Sequence, residues 1–192
     1  MPAHVLPDHL VSIPPAPVRG VILMLDGLLG QGPRYGYEGE DDGEPLLMPG
    51  VSSLLDLLDK RHIPRAILAS DAQGAAFDAL SGSALADRFD CMKCYDGSGT
   101  LGGFDKALCD AITRIGVVPE LCLVIASAEE EARAAMSVGL RVIWVNNHQS
   151  RVKSAELSIA DASESAPTRS NDVLAALPDH ASVRAYLTLC AR

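Results

Sequence analysis

Polar residues with reactive side chains stand directly after three runs of apolar residues. Asp26 and Gly27 follow the first run, Ser70 and Asp71 follow the second, and Ser127 follows a third run further along the chain. A carboxylate can serve as a nucleophile or as a general acid and base, and a hydroxyl group can hold an anion. Each motif also has a purely structural explanation, because an Asp-Gly pair forms turns and a serine caps helices.

The cysteines are the other candidates for chemistry. Cys91 and Cys94 form a CxxC pair, which can supply two of the four ligands that a structural zinc site needs. No second pair stands at a matching spacing, and His148 and His180 are isolated. Because the chain has five cysteines at scattered positions, we expect reduced thiols in a reducing compartment, and zinc binding by the CxxC pair is the alternative.

The charge balance excludes several classes of partner. The chain of 192 residues has 16 Lys+Arg against 25 Asp+Glu, a net charge of −9, which disfavours nonspecific binding to nucleic acids or anionic membranes. Aromatic residues make up only 4%, too few for a base-stacking platform. No apolar segment reaches the roughly 18 residues of a membrane span, and the proline-rich start lacks a signal-peptide pattern. We therefore expect a cytoplasmic protein that binds neither nucleic acid nor membrane.

The spacing of the apolar residues predicts alternating strands and helices. Continuous apolar runs bounded by turn residues are typical of strands buried on both faces, and they occupy residues 19–25, 65–70, 121–126 and 140–145, with a shorter candidate at 91–95. Helical spacing predicts helices over residues 51–62, 73–80, 104–115 and 127–139. The last of these helices begins with a capping box of Ser127 and Glu130. Two further short elements are predicted at residues 171–177 and 182–189.

This order of elements predicts an α/β fold, a three-layer Rossmann-like parallel sheet with helices on both faces. Residues 1–18 form an extended lead-in to a single domain of residues 19–192, which includes a flexible loop at 30–45 and a polar, Ser-rich segment at 152–170. In such sheets ligands bind beyond the carboxyl ends of the strands. We therefore expect the three polar motifs to converge at that edge.

The ordered motifs resemble those of the haloacid dehalogenase superfamily over roughly residues 19–145. The matching stretches read ILMLDGLLG, LASD, IGVVPELCLV and AAMSVGL. In that family the first Asp of a DxDG motif attacks phosphorus, and the second Asp is the general acid and base. A later hydroxyl holds the phosphate, a Lys neutralises charge, and late acidic residues hold magnesium. The resemblance therefore implies the fold and the positions of these roles.

Three of the five chemical roles are missing when the Asp-Gly pair is aligned with the family motif. The nucleophile position holds Met24, and Asp26 stands at the acid and base position. Ser70 keeps the hydroxyl group, but the Lys position falls near Gly102 and the late acidic position falls at Ser127. Magnesium prefers several carboxylate ligands, and catalytic residues act as a unit. This alignment favours a domain that has lost phosphatase chemistry, needs no cofactor, and serves as a binding, regulatory or interaction module.

A magnesium-dependent phosphomonoester hydrolase with a rearranged site is the alternative. Moving the alignment by two residues makes Asp26 the nucleophile and places Leu28 at the acid and base position. Lys106 or Lys93 would then neutralise charge. Residues Glu129, Glu130 and Glu131 could replace the late acid only if the strand before them ended later.

The resemblance also implies that no separate cap domain covers the site, because the gaps after the first two motifs are too short to hold one. In the family an open site goes with macromolecular substrates or with a lid contributed by a partner. We therefore expect a protein partner or a homodimer, with a phosphorylated ligand as a further candidate at the helix N-termini. The ligand-binding candidates beside Asp26 and Ser70 are Gly27, Asp71, Lys106 and Ser127.

Overall fold

The computed structural model describes residues 17–29, 47–96, 101–145, 173–177 and 180–190. The strands are β1 (Gly20–Met24), β2 (Arg65–Ser70), β3 (Cys91–Tyr95), β4 (Cys122–Ala126), β5 (Arg141–Val145) and β6 (Val173–Leu177). The helices are α1 (Leu25–Leu28), α2 (Val51–Lys60), α3 (Gly74–Ser81), α4 (Leu101–Ile115), α5 (Glu129–Ser137) and α6 (His180–Leu189). The predicted loop at 30–45, the segment at 152–170 and residues 1–16 lie outside the described residues.

The six strands form one parallel sheet in the order β3-β2-β1-β4-β5-β6. Strands β1 and β4 lie side by side at its centre and are buried along their whole length, because their side chains are apolar on both faces. The predicted fold class, a parallel sheet in a three-layer α/β arrangement, is confirmed. The short candidate at residues 91–95 is a real strand at one edge.

Two apolar cores lie on opposite faces of the sheet. Helices α2 and α6 pack on one face, against alternate residues of the strands such as Val21, Leu23 and Ile67. Helices α4 and α5 pack on the other face, against the intervening residues such as Ile22 and Leu68. The alternation follows from the two-residue period of a strand, so each central strand contributes to both cores.

Helix ends are where the structure departs from the predicted spans. The first long helix ends at Lys60 instead of residue 62, because His62 has a positive φ of 52° that a helix cannot continue. Positive φ values at Gly116 (68°) and Gly139 (80°) follow α4 and α5, as expected for glycine after a helix. The last helix begins at His180, two residues before its predicted start.

The sequence predicts a turn at the Asp-Gly pair after β1, but the pair does not end the strand in this way. It lies in the single-turn helix α1, which the backbone N–H of Leu29 closes by donating to the carbonyl oxygen of Leu25 at 3.2 Å. Leu25 and Leu28 are buried and hold this turn against the core. Among the described residues, no helix combines the length and the apolar character needed to cross a membrane.

Candidate functional site

The carboxyl ends of the strands bring the first two polar motifs together. Asp26 is exposed on α1, and the side-chain amide of Gln73 donates a hydrogen bond to its Oδ1. The other end of that amide, Gln73 Oε1, accepts from the backbone N–H of Ser70 at 2.7 Å. Gln73 therefore links Asp26 to the end of β2. Asp71 is exposed beside them, and its Oδ1 accepts from the N–H of Ala72 at 2.9 Å.

Gly27 lies against the third polar motif. A Cβ atom at Gly27 would stand 3.3 Å from Cβ of Ser127, 3.8 Å from its Oγ and 4.0 Å from Nε2 of His180. Gly27 is buried, so a side chain there would be in tight contact with Ser127, which would have to shift by a few tenths of an ångström. The structure thus places all three predicted motifs at one edge of the sheet, with the buried side chain of His180 beside them.

Glu131, which the sequence offered only as one of three possible replacements for the late acid, is the acidic residue that lies at this edge. Its Oε2 accepts from the backbone N–H of Ala128 at 3.2 Å, from that of Ser127 at 3.4 Å, and from Ser127 Oγ at 3.3 Å. The predicted capping box with Glu130 is therefore wrong, because α5 begins one residue later and Glu131 reaches back to its first amides. An acidic residue one helical turn after Ser127 was the available signal.

A tyrosine completes the contacts of Glu131. Tyr95, the last residue of β3, donates from its hydroxyl to Glu131 Oε1 at 3.1 Å. Burial raises the pKa of Glu131 despite its hydrogen bonds, and the charge of Asp26 raises it further. Burial also raises the pKa of Tyr95, with further increases from Glu131, Asp26 and Asp71. These four groups therefore share one electrostatic environment, and its charge is negative.

Met24, which the aligned Asp-Gly motif predicts at the nucleophile position, lies inside the protein. Its side chain is 1% exposed and belongs to the core on the α4 and α5 face, together with Leu68 and Phe104. A thioether cannot attack phosphorus and offers no negative charge to a magnesium ion. The burial of Met24 means that this position serves packing.

The lysine candidates do not join the polar motifs. Lys93 lies in β3 opposite Leu68, and its Nζ donates to Asp110 Oδ2 on α4 at 2.6 Å. Lys106 is exposed on α4. The hydrogen bond from Lys93 lowers the pKa of Asp110, and the charge of Lys106 adds a smaller decrease. Lys93 is therefore committed to an ion pair on the α4 side of the sheet.

The residues at this edge do not fit a magnesium ion. The carboxylate oxygens of Glu131 already accept hydrogen bonds, and the positions that would add carboxylates hold Met24 and Ser127. The described residues contain no group of three His, Cys, Asp or Glu side chains placed to hold a metal. Burial raises the pKa of the Cys91 and Cys94 thiols.

Solved structures with the same architecture have low sequence identity to this chain. A haloacid dehalogenase superfamily hydrolase from Ehrlichia chaffeensis is 14% identical, with 92% of this chain and 99% of that chain covered and a TM-score of 0.60. An uncharacterised Listeria monocytogenes serotype 4b protein is 19% identical, with 90% and 98% covered and a TM-score of 0.62.

A third similar structure is the D,D-heptose 1,7-bisphosphate phosphatase from B. bronchiseptica, which was solved with magnesium and phosphate. It is 16% identical, with 88% of this chain and 98% of that chain covered and a TM-score of 0.59. No family model matches the chain, and no curated protein matches it. The chain therefore has a haloacid-dehalogenase-like fold, in agreement with the resemblance of its motifs.

Proposed function

We propose that this chain is a haloacid-dehalogenase-like domain that has lost phosphoryl-transfer chemistry and acts as a binding or regulatory module. The observation that carries the proposal is the buried thioether of Met24 at the nucleophile position. Loss of the nucleophile removes most of a catalytic unit's rate enhancement, whatever its other members do.

The charges at the carboxyl edge support the same proposal. The charge of Asp26 raises the pKa of Glu131, the charges of Glu131, Asp26 and Asp71 raise the pKa of Tyr95, and Lys93 is bound to Asp110. A phosphoryl group carries negative charge that such a site does not neutralise. The amides of Ser127 and Ala128, which could bind an anion at the start of α5, already donate to Glu131.

The proposed partner is another protein or a second copy of this chain, which would cover the open edge around Asp26. The proposed location is the cytoplasm, because all five thiols are free and free thiols persist in a reducing compartment. Sedimentation of the purified chain distinguishes these two kinds of partner. Binding to a second copy doubles the sedimenting mass, whereas a different protein is absent from the purified sample and the mass stays that of one chain.

The alternative function is a phosphomonoester hydrolase centred on Asp26. It is favoured by the exposure of that carboxylate at the ligand-binding edge and by its fixed contact with Gln73. In this alternative Asp26 attacks phosphorus, Ser70 holds the phosphate and magnesium is required.

Hydrolysis of an aryl phosphate, with and without magnesium, distinguishes the two functions. The wild-type chain is compared with Asp26→Asn and with Asp78→Asn, a matched loss of an exposed carboxylate on α3. We expect all three proteins to match the rate without protein. Turnover that needs magnesium and is lost only in Asp26→Asn would establish the hydrolase instead. Equal turnover in all three would identify a contaminating phosphatase.

A further inference from the structure

A cavity of about 540 Å³ opens at the amino edge of the sheet, opposite the edge that carries Asp26. It lies between the start of β1, the end of α2 and the end of α6. Its walls include Val18, Arg19, Arg61, His62, Ile63 and Leu187. This volume falls within the range of about 300–1,000 Å³ that is typical of small-molecule sites.

The wall of this cavity is basic although the chain is acidic. Arg19 and Arg61 contribute two positive charges, His62 adds an imidazole, and none of the lining residues is acidic. Within the described part of the chain, neither arginine forms a salt bridge. With a net charge of −9 on the whole chain, the cavity is a local site of attraction for anions.

The acidic residues of α2 form ion pairs with arginines outside the cavity. Asp59 binds Arg65 and Arg88, and Asp56 binds Arg88 at 2.8 Å. These ion pairs lie on the side of α2 that faces β2 and the turn before β3. The carboxylates nearest in sequence to Arg61 therefore have other partners and do not pair with its guanidinium group.

Hydrogen bonds fix the cavity's walls before any ligand binds. Arg61 donates from Nη1 to the carbonyl oxygen of Leu187, which joins the end of α2 to the end of α6. The backbone N–H of Arg19 donates to Leu121 O at 2.8 Å. Arg141 donates to Pro17 O and to the hydroxyl of Tyr186, both at 2.9 Å. Preformed walls reduce the ordering that a ligand would have to cause.

His62 stands at a backbone position that glycine adopts more easily. Its φ of 52° lies in the left-handed region, directly after α2, where glycine is the usual residue. His62 nevertheless keeps its imidazole on the cavity wall. His62→Gly is therefore an informative variant, because it should relieve backbone strain and remove a side chain from the cavity lining in the same substitution.

We propose that this cavity binds a small organic phosphate. The phosphate group lies between Arg19 and Arg61, since a guanidinium donates two parallel hydrogen bonds to phosphate oxygens. The organic part packs on the apolar side chains of Pro17 and Ile63, the lining residues of this kind that remain accessible. The ligand is a free phosphate ester and not a lipid headgroup, because the acidic chain is repelled by anionic membrane surfaces.

Calorimetric titration of the full chain with phenyl phosphate, without magnesium, tests this proposal. We expect saturation at one ligand per chain, weaker binding of inorganic phosphate, and no binding of phenol. Arg19→Gln should weaken phenyl phosphate binding by at least about tenfold, because the loss of even one of its charge-assisted hydrogen bonds has an effect of that size. His62→Gly should also weaken it while raising the thermal midpoint, which excludes misfolding as the cause.

Lys60→Gln is the matched control, because Lys60 is exposed in the last turn of α2 and does not line the cavity. It should change the affinity less than twofold. An equal loss of phenyl phosphate affinity in Lys60→Gln and Arg19→Gln would overturn the proposal. A titration of the wild-type chain that does not saturate would overturn it as well. Preferential binding to vesicles of phosphatidylcholine and phosphatidic acid would also overturn it. None of these readouts depends on turnover at Asp26, so this proposal and the proposed function fail independently.

Discussion

At the scale of single residues, Met24 packs in the core at the position where the aligned motif predicts a nucleophile. It pairs in register with Leu68 of β2 and contributes to the core beneath α4. A thioether is flexible and polarisable, so it fills irregular apolar space without a hydrogen-bond requirement. A carboxylate at the same place would need partners that the surrounding core of Ile22, Leu68 and Phe104 does not supply.

Glu131 gives a prediction about pH. Its pKa in the folded chain is raised by burial above the ordinary value of 4.5, so the folded state holds this proton more tightly than the unfolded state. The corresponding stability is fully present below the unfolded pKa and is lost as pH rises through the folded pKa. Glu131→Gln removes this dependence. We expect the melting temperature of the variant, relative to wild type, to rise with pH across that window.

Thermal unfolding over a pH series measures this effect. Glu130→Gln is the control, because Glu130 is exposed on the same helix and its substitution removes the same charge. If the wild type and Glu131→Gln keep a constant difference at every pH, the raised pKa of Glu131 is not coupled to folding.

The candidate residues could be predicted from sequence only where a strand end identified them. Asp26, Ser70 and Ser127 follow apolar runs, and the structure brings them to one edge. The contact between Gln73 and Asp26 spans 47 residues of chain, so no local pattern contains it. The placement of His180 beside Gly27 depends in the same way on how α6 packs on the sheet.

At the scale of elements, the junction between α2 and α6 depends on a glycine. Gly50, the N-cap of α2, has a φ of 87°, and a Cβ atom there would lie 3.0 Å from the backbone nitrogen of Ala181. Gly50→Ala should lower the free energy of unfolding by about 1–3 kcal/mol, because it adds both strain and a backbone clash. Urea denaturation measures the change.

Gly74→Ala is the matched comparison on another helix. Gly74 begins α3 with a φ of −48°, and a Cβ atom there meets nothing within 4 Å. We expect this substitution to raise the free energy of unfolding by up to about 1 kcal/mol, since alanine restricts the unfolded chain. Equal effects of the two substitutions would show that the contact with α6 does not constrain α2.

The types of most elements could be predicted, but their ends could not. Apolar runs identify β1, β2, β4 and β5, and helical spacing identifies α4. The ends depend on backbone conformations such as the left-handed one at His62. Glycine and asparagine are the residues that usually adopt this conformation, so a histidine gives no sign of it in the sequence. The single turn α1 was missed because its four residues are too few to show a period.

At the scale of the whole molecule, one sheet joins both apolar cores. Because β1 and β4 contribute side chains to each core, neither layer of helices can separate without disturbing the other. We therefore predict one cooperative unfolding transition, as expected if the chain folds as a single domain. The fluorescence of Trp144, the only tryptophan, and the far-ultraviolet circular dichroism should change at the same urea concentration.

The two signals report on different parts of the molecule. Trp144 lies in β5, and its Nε1 donates to the carbonyl oxygen of Ser127 at 3.3 Å, while circular dichroism reports on all the helices. A fluorescence transition at lower urea than the dichroism transition would mean that the β5 side unfolds separately. Two coincident curves would support a single unit.

The strand order also has a consequence for the chain as it leaves the ribosome. Of the described strands, β1 is synthesised first and lies at the centre of the sheet, and its neighbour β4 emerges about a hundred residues later, a separation that slows folding. Until then a nascent chain can pair β1 only with β2, and the other side of β1 presents unpaired amides and carbonyls. The apolar residues Val21 to Met24 are therefore exposed to neighbouring chains longest, which makes the period before β4 emerges the one most dependent on chaperones.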